Sequence, residues 1–126
     1  MKSFLPILLL LVASHSSATT FSIACHNQIA TLGNGQTIEI KSASISSDEN
    51  QSILKIDGTN TNLPPLGFDS MIHRTGAKYK DDSEMTVTAV DSPAPNAAAL
   101  TVTLADANGN SRWYMLAVGC RTYKTR

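Results

Sequence analysis

Long apolar runs are scarce in this sequence: residues 4–12 form one, about half of the roughly 20 residues that a membrane-spanning helix needs, and no other segment comes close. An excess of charge of one sign is also missing. Ten basic residues face ten acidic ones with no polybasic run, which argues against nucleic acid or an anionic membrane surface as a partner. No segment has a convincing helical period, and there is no internal repeat. Catalytic motifs are lacking as well. Beyond residue 18 only His26 and His73 remain, and neither sits in an HExxH pattern or beside a GxSxG nucleophile. The two cysteines, Cys25 and Cys120, belong to no CxxC or Cys/His cluster, so neither a metal site nor a reactive thiol is expected. The reading is of a protein without cofactor or metal that is not an enzyme.

What is there begins with Met1 and Lys2, the apolar run and the small residues Ser16-Ser17-Ala18, the pattern of a signal peptide spanning residues 1–18. Cleavage would start the mature chain at Thr19 and leave one domain, residues 19–126, with nine basic and ten acidic residues once Lys2 is lost. A periplasmic or secreted, soluble product is expected. Ser22-Ile23-Ala24 before Cys25 lack the leucine of a lipid-attachment site, so lipidation is rejected. Two cysteines in an exported chain most simply pair with each other, and Cys25 with Cys120 would tie the two ends of the domain together.

Alternation of apolar and polar residues recurs along the remaining chain. Phe21, Ile23 and Cys25 share one strand face, whereas residues 28–32 are a weaker strand because Ile29 and Leu32 are out of step. Asn34-Gly35 is a hairpin turn leading to a strand with Ile38 and Ile40. Residues 53–56 read as a short strand, residues 58–67 as an irregular loop around Pro64-Pro65, and residues 68–73 as extended. Met85, Val87 and Ala89, then Leu100, Val102 and Leu104, mark the clearest strands. After the Asn108-Gly109 turn, residues 112–120 carry apolar side chains on both faces, as a central strand would. The expected fold is all-β: a small antiparallel barrel or sandwich of about seven or eight strands with one disulfide.

Several polar features have ordinary explanations. Asp106, Asn108 and Asn110 imitate the start of a calcium loop, but Ala117 stands where the bidentate glutamate would be. Asn50-Gln51-Ser52 is a glycosylation sequon of consequence only in a eukaryote. Trp113 and Tyr114 fall on opposite strand faces. Residues 74–82 stand apart, because Arg74, Lys78 and Lys80 bring three positive charges, Thr75 a compact hydroxyl, Gly76 a permissive backbone and Tyr79 a ring with a polar tip. By residue chemistry this is an ordinary polar loop, suited at most to a partner cleft lined by carboxylates.

Thr75-Gly76-Ala77-Lys78-Tyr79, followed by Asp81, resembles the Ser-Gly-x-x-Tyr signature of the bacterial periplasmic or membrane-bound inhibitors of c-type lysozyme. Thr75 stands in place of the serine, and residues 21–25 do not reproduce the family's Tyr-x-Cys opening. The resemblance implies a small exported β-barrel with a disulfide between an early and a late cysteine. It also implies that Thr75, Gly76, Ala77, Lys78, Tyr79 and Lys80 form a loop inserted into the lysozyme cleft, aided by a basic residue from a second loop. Arg112, beside a hairpin turn, is the residue expected in that second role. The alternative is another exported binding module: a toxin-immunity protein, an adhesin-type domain or a small-ligand carrier.

Overall fold

A computed structural model describes residues 20–69 and 71–125, with the backbone alone for Phe68, Asp69 and Thr125; the expected signal peptide, residues 1–18, lies outside the described residues. The strands are β1 (Thr20–Leu32), β2 (Thr37–Ser47), β3 (Ser52–Ile56), β4 (Thr59–Leu63), β5 (Gly67–Asp69), β6 (Ile72–Lys78), β7 (Glu84–Val90), β8 (Ala98–Ala105) and β9 (Ser111–Thr125). They form one antiparallel sheet in the order β4-β3-β2-β1-β9-β8-β7-β6-β5. The sheet curls until β4 approaches β6, giving the nearly closed, all-β barrel that the alternating pattern led us to expect. β9 is central, lying between β1 and β8.

Alternation determines the inside. Ile23, Ile45, Leu54, Val87, Leu100, Val102 and Met115 are essentially inaccessible and make up the core. Cys25 and Cys120 are bridged there, with Cα atoms 4.5 Å apart, so the disulfide fastens the first strand to the last. The seam between β4 and β6 is bridged by the Thr75 hydroxyl, and two further serine hydroxyls anchor the segment that follows β4. The Pro64 carbonyl accepts hydrogen bonds from Ser52 Oγ at 2.6 Å and Thr75 Oγ1 at 2.7 Å, while Leu66 N–H donates to Ser47 Oγ at 3.1 Å.

Three local expectations are corrected. Residues 28–32 are the second half of β1 rather than a separate strand. Asn27 takes a φ of 56°, which shifts the inward phase from Cys25 to Ala30 and explains why Ile29 and Leu32 seemed out of step. Residues 58–67 are not an irregular loop throughout, because Thr59–Leu63 pairs with β3 across a two-residue turn. Asp57 and Gly58 have φ values of 46° and 88°, the geometry an Asp-Gly hairpin favours. Asp57 Oδ1 also accepts from the backbone N–H groups of Lys41 and Ser42, pinning that turn where β2 changes phase. Finally, residues 74–78 are not loop: they belong to β6, paired with β7 from Ile72↔Val90 to Lys78↔Glu84.

Candidate functional site

The candidate segment is thus strand to Lys78 and turn from there on. Burial along β6 places Thr75 and Ala77 on the inner side with buried His73, whereas Arg74 and Lys78 are exposed. The hydroxyl and the lysine that were expected to act together from one loop therefore leave opposite sides of a strand. Thr75 is half-buried and its hydroxyl is committed to Pro64. Gly76 serves close packing: a Cβ there would lie 2.5 Å from the Met85 carbonyl oxygen. Ala77 packs against the core.

Residues 79–83 form the actual turn. Tyr79 N–H donates to the Ser83 carbonyl at 2.8 Å, Asp82 N–H donates to the Tyr79 carbonyl at 2.9 Å, and Asp82 takes a φ of 65°. Asp81 Oδ1 accepts from Ser83 Oγ and Ser83 N–H, and these bonds, with Arg112 nearby, hold its carboxyl below the usual carboxylate range. Tyr79 is 39% exposed, with its hydroxyl 3.9 Å from Met85 Sδ, and Lys80 is exposed at the tip.

Arg112 reaches the same end of the barrel from β9, its Nη1 lying 3.4 Å from Asp81 Oδ2 across 31 residues of sequence. A β-bulge positions it. Leu104 pairs with Trp113 and Ala105 with Ser111, which leaves Arg112 as the extra residue. Bulges redirect side chains in this way, and Arg112 and Trp113, though consecutive, both line the barrel mouth. That mouth is an open, mainly apolar cleft of about 540 Å³, walled by Leu54 and Ile56 of β3, Thr59 and Thr61 of β4, Met85 of β7 and Leu104 of β8. Sequence reasoning missed it. The Asp57-Gly58 pair was the available signal, since it announces the hairpin that brings β4 into the wall.

Away from the mouth, His73 packs its ring 4.6 Å from that of Phe21. Burial pushes its pKa below the ordinary 6.5, opposed by the nearby Asp91 carboxylate and reinforced by Lys124. Asp91 and Lys124 are themselves paired at 2.6 Å. Just below pH 6.5 the unfolded chain binds a proton that the folded chain does not, so folding stability rises with pH in that window. Urea midpoints are therefore expected to fall as the pH is lowered from 7.5 to 5.5, and His73→Phe should flatten the trend. An unchanged slope in that variant would assign the pH dependence to other groups.

Comparison with protein-family models, with curated proteins and with solved structures finds no match to this chain.

Proposed function

We propose that this chain is an exported inhibitor of c-type lysozyme that presents the β6–β7 end of its barrel to the enzyme's carboxylate-lined cleft. The observation that carries this reading is the convergence of Arg112 on the turn that ends the Thr75-Gly76-Ala77-Lys78-Tyr79 segment, 3.4 Å from Asp81. The family resemblance calls for the signature segment together with a basic residue from a second loop, and Arg112 fits that second part. The barrel with its early-to-late disulfide supports the same reading, and a disulfide accords with export to an oxidising compartment. Among the described residues no helix is long and apolar enough to cross a membrane.

In this reading Tyr79, Lys80 and Arg112 meet the enzyme, and Lys78 contributes charge from the outer face. Thr75 acts one step back, since its hydroxyl holds β6 to Pro64 and so sets where the turn stands. Thr75→Ser keeps that bond and should inhibit as well as the parent.

The test is titration of the oxidised protein against c-type, g-type and i-type lysozymes on a cell-wall substrate. Inhibition of the c-type enzyme alone is expected, weakening as salt is raised. Tyr79→Ala combined with Arg112→Ala should reduce it by well over tenfold, because removing a central anchor commonly costs about 2 kcal/mol or more. A folded parent that leaves c-type lysozyme fully active, or a folded double variant as potent as the parent, would overturn the proposal.

A further inference from the structure

The barrel mouth has a composition that docking to a protein cleft does not require. Its walls are aliphatic, thioether and indole surface from Leu54, Ile56, Met85, Leu104 and Trp113. On the β4 side the lining is two small polar residues, Thr59 and Thr61, rather than large apolar side chains. At about 540 Å³ it lies within the range of sites that hold small molecules. Its polar edge is one-sided: Arg112 is the charged residue of the lining, and the two threonine hydroxyls are neutral.

The guanidinium is also available. Its hydrogen bond to Asp81 is long, at 3.4 Å, and both side chains are more than half exposed. Asp81 meanwhile spends its other oxygen on Ser83. An incoming carboxylate could make a shorter, two-pronged contact with Arg112 than Asp81 does.

We propose that the barrel mouth binds a single-chain amphipathic carboxylate of the fatty-acid type, its tail against Leu54, Met85, Leu104 and Trp113 and its headgroup on Arg112. Apolar burial supplies the affinity, and the lone cation selects an anionic headgroup over a neutral or cationic one. The inference goes beyond lysozyme inhibition and does not depend on it.

Trp113 is the single tryptophan of the chain, so its fluorescence reports directly on the site without any lysozyme present. The oxidised protein is titrated with decanoate and decyltrimethylammonium below their micelle concentrations and with decanol below its solubility limit. Decanoate should shift the emission saturably, with decanol weaker by about tenfold or more, as loss of a charge-assisted hydrogen bond entails, and the ammonium weaker still. Arg112→Ala should bring decanoate down to the level of decanol. Thr61→Phe, which fills the mouth, should abolish both responses, and Thr59→Phe at a more exposed position of the same wall serves if that variant does not fold. The proposal is overturned if decanoate gives no saturable change, if the three probes bind alike, or if decanoate binds undiminished to a folded filled-mouth variant.

Discussion

Replacing Cys25 and Cys120 together by alanine is expected to lower the thermal midpoint by on the order of 20 °C. The bridge closes a separation of 95 residues. In the chain-entropy account a loop of about that length is worth about 4.7 kcal/mol, comparable to the whole net stability of a small domain. Its placement adds to the effect. β1 and β9 are neighbours in the middle of the sheet, and their ladder is interrupted between Ala24↔Arg121 and Ala30↔Met115, the stretch in which both cysteines lie. There the Gln28 side chain substitutes for part of the ladder, donating to the Val118 carbonyl and accepting from its N–H. The covalent bond thus stands where the hydrogen-bonded pairing is thinnest. Far-UV circular dichroism melts of the parent and the double variant measure the difference, and a loss of only a few degrees would mean that the hydrogen-bonded ladders suffice.

Gly76→Ala should destabilise the protein by about 1 to 3 kcal/mol, although it adds a single methyl group to a half-exposed strand. The added Cβ would stand 2.5 Å from the Met85 carbonyl oxygen, 3.6 Å from the Met85 carbonyl carbon and 3.6 Å from the Thr86 Cα. All three are backbone atoms of β7, so no side-chain rotation relieves the clash and the β6–β7 pair itself must open. The same displacement would move Tyr79 and the turn that meets Arg112, so under the proposed function inhibition of lysozyme should fall together with stability. Gly58→Ala is a useful contrast, since nothing lies within 4 Å of that position and only its φ of 88° opposes a side chain. Chemical denaturation of both variants separates close approach from backbone strain; a Gly76→Ala protein as stable as the parent would show that β6 can shift without cost.

Gly76 also illustrates what residue types can and cannot say. In sequence it reads as a turn glycine among polar neighbours, and its reason for being glycine is the passage of another strand's backbone 2.5 Å from where its Cβ would stand. Arg-Thr-Gly-Ala-Lys has no apolar alternation, so its strand state comes from the ladder that β7 offers. β4 was illegible for a related reason. Apart from Leu63, which reaches the core, Thr-Asn-Thr-Asn-Leu has the threonines of an unfilled mouth and exposed asparagines, and neither environment selects the apolar residues by which a strand is recognised.

The alternation in β7 and β8, the Asn34-Gly35 and Asn108-Gly109 turns and the pairing of two distant cysteines were all determined by the sequence itself, because each depends on a period of two, a local φ preference or a simple count. The tertiary structure alone decided three other things: that Thr75 closes the seam through Pro64, that a bulge delivers Arg112 to the Tyr79 turn, and that the mouth beside Trp113 stays open. Each depends on distances between residues far apart in the chain, and those are set only when the whole sheet has curled.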